Sequence, residues 1–410
     1  MRVLFTGHLS LDTWPQGGWL CDLGKALVWA GHEVRGLVTA GKVGGNDPFP
    51  VARVVCRAGD PAADLDFDPP CFASEGGSSQ TFESLTDDQI RRYREAWRRR
   101  LDREVDDFNP HVIHAANLWW EAQLALETGV PYVVSAWSAE LTACADHEQT
   151  RALVQQAAEN ASRIFVPHRA LGQAVEAAFG IAPDHIVMLQ PAIAAASYSV
   201  HNPVPERQAL LARFGIPNDS RPLVVVRATA DVDSGLDLVV NAAARCEATS
   251  ESAAVVPRIV VASAAAPNPL AAAQAARLGL MHFMQVQVGA AAQWQALWQA
   301  ADLALFPSRR PADGLDVIWA LAAGTPAIVT AASGLDCLAG CPAVRSIAAD
   351  DHELLADAIL AALGESWKEA QGAAAADFVR HRHAIATAAE HVAEAYRSVL
   401  TQRFGHLPPH

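Results

Sequence analysis

The stretch that decides the fold is residues 297–330, which read LWQAADLALFPSRRPADGLDVIWALAAGTPAIVT. Residues 303–306 form an apolar run that predicts a buried strand, and residues 315–323 have the length and composition of a helix. A Gly-Thr-Pro turn then precedes a second apolar run, residues 327–330. A strand, a helix and a strand in immediate succession are typical of a parallel βαβ unit. The stretch therefore predicts a parallel sheet covered by helices.

The same alternation extends outward in both directions. At the start of the chain, an apolar run at residues 3–6 is followed by a helical pattern at 17–30 and a second apolar run at 33–39. In the middle, residues 196–220 contain a short helical pattern but no strand pattern, and the alternation resumes with a strand at 223–226. The sequence therefore predicts an α/β fold with two Rossmann-like, doubly wound parallel-sheet domains facing a cleft.

The domain limits follow from this pattern. At roughly 150 residues per domain, a chain of 410 residues suggests two or three domains. We predict an N-terminal domain over 1–195, an interdomain connection over 196–220, a second domain over 221–375 and a C-terminal helix over 376–410 that returns toward the first domain. Ligands of doubly wound sheets bind outside the carboxyl ends of the strands, so functional residues are expected in the loops that follow strands.

The charge balance restricts the class of partner. The chain has 45 Asp and Glu residues against 31 Lys and Arg residues, a net charge of −14. Duplex nucleic acid is bound by basic side chains that neutralise its phosphates, so this balance argues against a nucleic-acid partner. Only three of the basic residues are lysines, which means that positive charge at a ligand site must come mainly from arginine.

Nothing in the sequence indicates a membrane-spanning or secreted protein. The longest uncharged run, residues 278–301, is interrupted by His282, Gly289 and several glutamines. The first residues, MRVLFTGH, lack a signal-peptide pattern. The seven cysteines have no CxxC spacing, and Cys337 and Cys341, four positions apart, have no second ligand pair. The histidines of RHRH at 380–383 have no Cys or acidic residue beside them at metal-ligand spacing. We therefore expect reduced thiols, a cytoplasmic location and no metal site.

One helical segment raises the question of a lipid surface. Residues 91–104, RRYREAWRRRLDRE, place Tyr93, Trp97 and Leu101 at helical spacing among arginines. A basic amphipathic helix of this kind is able to make peripheral contact with anionic lipid. The interleaved acidic residues favour the alternative, a solvated helix whose charges pair with one another.

Four segments of the chain carry a family resemblance. They are GGWLCDLGKALVWAGHEV at 17–34, FNPHVIHAANLWW at 108–120, GVPYVVSAW at 129–137 and the block at 297–330. In this order they resemble the sequence blocks of the retaining glycosyltransferases of group 1 (family 4), and the last block is the most specific. The resemblance implies the GT-B fold, in which two Rossmann-like domains face a cleft. It also implies transfer of a sugar from a nucleotide-sugar, with retention at the anomeric carbon and without a metal.

The departures from the family pattern concern the donor site. Two glutamates eight positions apart flank the donor sugar in the family, and their positions here hold Pro311 and Trp319. The lysine that binds the donor diphosphate is replaced by Ser234, whereas its partner arginine is retained as Arg227. Three further motifs are also replaced, by Ser263-Ala264-Ala265 (Gly-x-Gly), by Pro191-Ala192 (Asn-Gly) and by Trp137 (the His of Val-His-Gly).

The resemblance nevertheless implies a set of site residues. Donor and phosphate contacts are expected from Arg227, Gly17, Gly18, Ser308 and Gly314. An acceptor or the lining of the cleft is expected at His114, Trp119, Trp137 and Trp319. Candidate carboxylates that would replace the lost glutamates are Asp313, Asp316 and Glu140.

Three hypotheses about function stay open at this point. The first is an active glycosyltransferase that takes a nucleotide-sugar and an unidentified acceptor. The second is a catalytically inactive glycosyltransferase-like binding or scaffold protein, including a partner subunit of another glycosyltransferase, because so many donor-site groups are replaced. The third is a nucleotide-dependent epimerase on the same two-domain fold, whose expected acidic and histidine sites are not evident. No cofactor is expected beyond the nucleotide-sugar itself.

Overall fold

The chain forms two compact units in a computed structural model. The first unit contains residues 1–190 together with 385–410, and the second contains 191–384. The structure describes residues 1–13, 15–44, 47–72, 75, 78, 80–145, 148–195, 204–229, 232–249, 256–330 and 335–407. Part of the predicted connection, residues 196–203, lies outside these ranges. The predicted domain limits remain predictions.

The first unit is built on a seven-stranded parallel sheet. Its strands are β1 (Arg2–Gly7), β2 (Glu33–Ala40), β3 (Val51–Val55), β4 (Val112–Ala115), β5 (Tyr132–Ser135), β6 (Ile164–Val166) and β7 (Ile186–Met188). They are arranged in the order β3-β2-β1-β4-β5-β6-β7. Strands β1, β4, β5 and β6 are almost wholly buried, as expected for parallel strands that are covered on both faces.

Within the residues that the structure describes, six α-helices connect these strands. They are α1 (Gln16–Trp29), α2 (Asp87–Phe108), α3 (Trp120–Glu127), α4 (Ser138–Ala145), α5 (Glu148–Asn160) and α6 (Arg169–Phe179). Helix α2 begins with a capping box: the amide of Gln89 donates to Oγ1 of Thr86 at 3.3 Å, and the amide of Thr86 donates to Oε1 of Gln89 at 2.9 Å.

Helix α2 packs against the core through its apolar residues. Tyr93, Trp97 and Leu101 are buried in the core of the first unit. Several arginines on its other side form ion pairs, including Arg91 with Glu95 and Arg98 with Glu127. The apolar side chains that would enter a lipid surface are therefore inside the protein. The prediction of peripheral membrane contact through this helix is wrong, and the alternative of a solvated, charge-paired face agrees with the structure.

The second unit repeats the architecture with six parallel strands. These are β8 (Leu223–Arg227), β9 (Arg258–Ser263), β10 (Phe283–Gln287), β11 (Leu303–Phe306), β12 (Ala327–Thr330) and β13 (Val344–Ile347), in the order β10-β9-β8-β11-β12-β13. Its helices are α7 (Val204–Arg213), α8 (Leu236–Thr249), α9 (Pro269–Arg277), α10 (Ala291–Ala300), α11 (Leu315–Ala322), α12 (His352–Gly364) and α13 (Trp367–Arg382). The predicted βαβ unit is observed as β11, α11 and β12.

The last helix belongs to the first unit. Helix α14 (Ile385–Phe404) packs on α1, and the hydroxyl of its Tyr396 lies 2.6 Å from Nδ1 of His114 on β4. None of the helices in the described ranges has the length and the apolar character needed to cross a membrane.

Both units are Rossmann-like, doubly wound α/β domains, as the sequence predicts. Each sheet reverses its strand order once, between β1 and β4 in the first unit and between β8 and β11 in the second. The elements that the sequence pattern missed are β3, β13 and α4. The two missed strands are edge strands with partly exposed residues, so their apolar pattern is weak.

Candidate functional site

Arg227 stands where the second sheet reverses its strand order. Ligands of doubly wound sheets bind beside such a reversal, at the carboxyl ends of the strands. Arg227 is the last residue of β8, and its side chain is 11% exposed. Its Nε atom lies 3.5 Å from Oδ2 of Asp316, and its guanidinium lies over the ring of Trp294, 5.3 Å from the centroid. The cation is therefore held between a carboxylate and an aromatic ring.

Helix α11 begins at the same edge of the sheet. Gly314 precedes it with a φ of 82°, and a Cβ at this position would lie 3.2 Å from Cδ2 of Leu335. Gly314 has no side chain with which to cap the helix, and the amide of Ile318 donates to the Gly314 carbonyl oxygen at 3.1 Å. The amides that precede Ile318 in the helix have no acceptor within it, so this end carries the partial positive charge that favours anions.

Ser308 and Asp313 lie in the loop between β11 and α11. The hydroxyl of Ser308 donates to the carbonyl oxygen of Arg310 at 2.9 Å and accepts from the Arg310 amide at 3.1 Å. The Ser308 carbonyl oxygen in turn accepts a hydrogen bond from the hydroxyl of Thr330. Asp313 is partly exposed, directly before Gly314. Ser308 thus shapes the loop, and a contact of either side chain with substrate remains a prediction.

Two arginines of this loop were missed by the sequence reasoning. Arg309 makes two hydrogen bonds to the carboxylate of Asp237, at 2.8 and 2.9 Å, and one to Asp350 at 2.5 Å. Arg310 pairs with the carboxylate of Asp233, which lies in the loop after β8. The signal that would have found them is simple: two adjacent basic residues directly follow a buried strand of a parallel sheet.

Trp319 and Pro311 occupy the two positions of the family's glutamates. Trp319 lies one turn after Asp316 on α11 and is 2% exposed, packed within the second unit. Pro311 is exposed in the loop before the helix. Asp316 is the acidic residue of α11, and its carboxylate faces the guanidinium of Arg227. A contact between Trp319 and a ligand remains a prediction.

In the first unit, His114 lies within the core of the sheet. It is 0% exposed, and its Nε2 atom lies 2.8 Å from the hydroxyl of Ser135 while Nδ1 lies 2.6 Å from that of Tyr396. Burial lowers the pKa of His114 to about 3, so the ring is neutral at ordinary pH. Both ring nitrogens are engaged within the protein, and contact with a ligand would require this arrangement to open.

Glu140, Trp137 and Trp119 are likewise buried. The carboxylate of Glu140 accepts hydrogen bonds from Nδ2 of Asn117 at 2.8 Å and from the Trp137 amide at 2.6 Å, and so joins the loops after β4 and β5. The indole of Trp137 donates to the carbonyl oxygen of Ala116 at 2.8 Å. Glu140 therefore organises two loops, and its predicted contact with an acceptor would need a rearrangement.

Trp119 and the paired glycines also have close packing partners. The Trp119 ring lies edge-on to Phe72, with centroids 4.9 Å apart. A Cβ on Gly17 would lie 2.1 Å from the carbonyl oxygen of Ser10, which explains a glycine there. The amide of Gly18 donates to the carbonyl oxygen of Thr13 at 3.0 Å. The Gly18 amide is thus engaged within the protein, and a contact of either glycine with a phosphate remains a prediction.

A buried polar network at the end of β1 was also missed by the sequence reasoning. His8 follows β1, and its Nε2 atom lies 3.0 Å from Oε2 of Glu75. Burial opposes a charge on His8, but the Glu75 carboxylate outweighs it and raises the pKa of His8 to about 9. Nearby, Tyr93 donates to Glu121 at 2.9 Å, and burial raises the pKa of that carboxyl. These residues lie far apart in the sequence, so no spacing pattern reveals them.

No metal site is evident in the part of the chain that the structure describes. Within it, no three His, Cys, Asp or Glu side chains converge on a position that could hold an ion. That the reaction proceeds without a metal remains a prediction.

Two family models match the chain. The model described as a glycosyl transferase 4-like domain matches residues 20–192, and the one described as glycosyl transferases group 1 matches residues 221–365. The chain belongs to the group-1 glycosyltransferase family. No curated protein matches this group-1 glycosyltransferase chain in sequence.

Solved structures show that the fold is GT-B. Sucrose-phosphate synthase from Thermosynechococcus elongatus is 16% identical, with 98% of this chain and 100% of that chain covered and a TM-score of 0.72. The catalytic domain of starch synthase IV from Arabidopsis thaliana, bound to ADP and acarbose, is 14% identical, with 98% and 99% covered and a TM-score of 0.71. Anabaena HepE in complex with UDP-glucose is 17% identical, with 97% and 100% covered and a TM-score of 0.68.

Membership of the group-1 family suggests a role for one residue of the site in the second unit. By resemblance to this glycosyltransferase family the retained arginine is expected to contact the donor, and the structure has Arg227 beside the first turn of α11. The loop after β11 adds two further basic side chains at this edge, Arg309 and Arg310.

Proposed function

We propose that this chain transfers a sugar from a nucleotide-sugar to an acceptor, with retention at the anomeric carbon. The observation that carries the proposal is the position of Arg227, at the carboxyl end of β8 and 3.5 Å from a residue in the first turn of α11. A diphosphate at this edge would meet one guanidinium and one helix N-terminus. The complexes of HepE with UDP and with UDP-glucose support a nucleotide-sugar as the donor class.

The proposed chemistry follows from where charge develops. When the bond between the sugar and the diphosphate breaks, negative charge grows on the leaving diphosphate. A guanidinium and oriented backbone amides stabilise that charge without reorganising during the reaction. Removing one such donor from an active site typically costs about 10²–10³ in rate, or about 3–4 kcal/mol. On this proposal Arg227 is the principal side chain that stabilises the leaving group.

Asp316 favours a second candidate function. Its carboxylate neutralises Arg227, and Trp319 is buried where the family has a glutamate that binds sugar hydroxyls. A site of this kind would bind a nucleotide weakly and lack a partner for the sugar. The chain would then be an inactive glycosyltransferase-like scaffold, or a subunit that works with an active glycosyltransferase. Release of free nucleotide from a nucleotide-sugar distinguishes the two functions, because only a transferase would produce it.

The test combines calorimetry with a turnover assay. The chain is titrated with UDP-glucose, GDP-glucose and ADP-glucose, and release of free nucleotide is followed for each donor. We expect one donor class to bind, and Arg227→Ala to weaken its binding and abolish nucleotide release. Arg245→Ala is the matched control, because Arg245 of α8 forms a surface pair with Asp357 of α12.

The outcomes distinguish the candidates. Binding without nucleotide release from any donor would favour the scaffold function. Failure of all three donors to bind would contradict the transferase function and favour the scaffold. Equal binding by Arg227→Ala and the wild type would contradict the proposed site.

A further inference from the structure

We propose that Arg310 supplies the second positive charge to the donor diphosphate, in place of the lysine that the family has at the position of Ser234. This inference rests on the proposed function, because it concerns the same diphosphate. Its starting point is a deficit: a diphosphate carries at least two negative charges, and Arg227 provides only one positive charge, already paired with Asp316. A second cation near the loop after β8 would restore the balance.

Ser234 itself is not suited to that role. Its side chain is buried, and its hydroxyl donates to the carbonyl oxygen of Thr229 at 2.7 Å within the same loop. The hydroxyl therefore has a structural function, and a serine carries no charge. If this loop is to present a cation, the cation must come from another element.

The loop after β11 lies directly against this position. Gly235 has a φ of 74°, and a Cβ there would lie 2.1 Å from the carbonyl oxygen of Pro307. The amide of Arg309 donates to the carbonyl oxygen of Asp233 at 2.8 Å. The Arg310 guanidinium then pairs with the carboxylate of the same Asp233. The positive charge of Arg310 thus lies beside the residue that precedes Ser234 in the chain.

Of the two neighbouring arginines, Arg310 is the one suited to a ligand. The Arg309 guanidinium is held by Asp237 and by Asp350, and these carboxylates raise its pKa well above the ordinary value. Its side chain is 18% exposed. Through these two carboxylates it joins the loop after β11 to α8 and to the segment before α12. The Arg310 side chain is 52% exposed, and one carboxylate cannot use all five N–H donors of a guanidinium.

The backbone of Arg310 is held in place. Ser308 bonds both its amide and its carbonyl oxygen, at 3.1 and 2.9 Å. The adjacent Arg309 is fixed by its three bonds to carboxylates. A side chain on a fixed backbone loses less conformational freedom when it binds a ligand, and this favours a direct contact with phosphate.

The experiment compares a nucleotide with its nucleoside. The full chain and its Arg310→Ala, Arg310→Lys and Arg310→Ala/Ser234→Lys variants are titrated with UDP and with uridine, or with the matching pair for whichever donor binds. We expect Arg310→Ala to weaken diphosphate binding about ten- to hundredfold and to leave nucleoside binding unchanged. Arg310→Lys should retain part of the affinity. The double variant, which returns a cation to position 234, should recover part of the loss.

Each outcome has a defined meaning. If Arg310→Ala binds the diphosphate as the wild type does while Arg227→Ala does not, the inference is overturned and the proposed function stands. An equal loss for nucleotide and nucleoside would also overturn it, because the change would then act through the fold. A wild-type chain that binds no donor removes both proposals. Arg345→Ala, a surface arginine of β13 paired with Glu365, controls for net charge.

Discussion

Asp316 is the residue whose charge decides the state of the candidate phosphate site. It occupies the first turn of α11, where a carboxylate is favoured by the helix dipole, and it faces Arg227. A diphosphate would compete with it for the same guanidinium. The Asp316 carboxylate therefore holds the Arg227 guanidinium when no ligand is bound. The same pairing lowers the affinity of the site for a diphosphate.

Removing the charge of Asp316 should tighten nucleotide binding. We expect Asp316→Asn to lower the Kd for the bound donor about fivefold, because a partly exposed ion pair contributes up to about 1 kcal/mol. Calorimetry with the donor measures this change. Asp357→Asn, which breaks the surface pair with Arg245, is the control and should leave the Kd unchanged. Weaker binding by Asp316→Asn would show that the carboxylate helps the site.

His8 gives a residue-level prediction about pH. Its pKa is about 9 in the fold, whereas an unfolded histidine has a pKa near 6.5. The ion pair with Glu75, assisted by the nearby Glu121, is therefore fully stabilising below about pH 6.5. This stabilisation, of order 3 kcal/mol, is lost as the pH rises through about 9.

Urea unfolding at several pH values between 6 and 10 measures this effect. Tryptophan fluorescence of wild type and Glu75→Gln should show a difference in stability that shrinks as the pH rises. Glu247→Gln is the control, because the Glu247 carboxylate accepts from the backbone amides of Met281 and His282 rather than from an imidazole ring. Parallel pH profiles for wild type and Glu75→Gln would refute the importance of the pair.

At the scale of elements, the loops after β8 and β11 form one structure. The carbonyl oxygen of Pro307 occupies the space where Gly235 would have a side chain, and Arg309 donates from its backbone to Asp233. The glycine is therefore required twice, for its positive φ and for the close approach. Contact between these loops brings Arg310 to the side of the sheet where Arg227 ends β8.

Gly235→Ala should separate these two loops. We expect a loss of stability above about 2 kcal/mol, because the new methyl group clashes and the backbone is strained. Donor binding should weaken with it. Gly279→Ala is the matched control, since Gly279 also has a positive φ, 71°, but has nothing within 4 Å of its Cβ position. Thermal unfolding of both variants measures the difference, and equal losses would show that the close approach is unimportant.

At the scale of the whole molecule, the chain ends in the unit where it begins. Helix α14 packs on α1, and Tyr396 contributes its hydroxyl to His114 in the sheet core. The first unit is therefore built from two separate segments of the chain, whereas the second unit consists of one continuous segment.

Tyr396→Phe should destabilise the first unit selectively. His114 would lose the partner of one buried ring nitrogen, at a cost of about 1–3 kcal/mol. Hydrogen exchange should become faster in β1 and β4 and stay unchanged in β8 and β11. Arg397→Ala, one residue further along α14, is the control. Faster exchange in both units alike would contradict this division of the chain.

Local patterns in the sequence were sufficient for most of the architecture. The βαβ block at 297–330 and the restart of the alternation at 223 both depend on neighbouring residues, and both are found in the structure. The edge strands β3 and β13 were not predicted, because their residues are partly exposed and lack the continuous apolar pattern of a central strand. The apolar stripe of α2 was ambiguous for another reason: the spacing of its apolar residues does not say whether the protein core or a lipid surface covers them.

The sequence by itself determined the fold, the family and the retained Arg227, because hydrophobic periodicity and motif order are written in short segments. It did not determine which side chains meet. Residues 233 and 310, 8 and 75, and 114 and 396 are distant in the chain and become neighbours only when strands and loops assemble. Only the tertiary structure decided that the side chains of Glu140 and His114 form hydrogen bonds within the protein. It also decided that Arg310 lies beside the loop after β8, in which Ser234 stands where the family has a lysine. The physical reason is that charge pairing and burial depend on those long-range contacts.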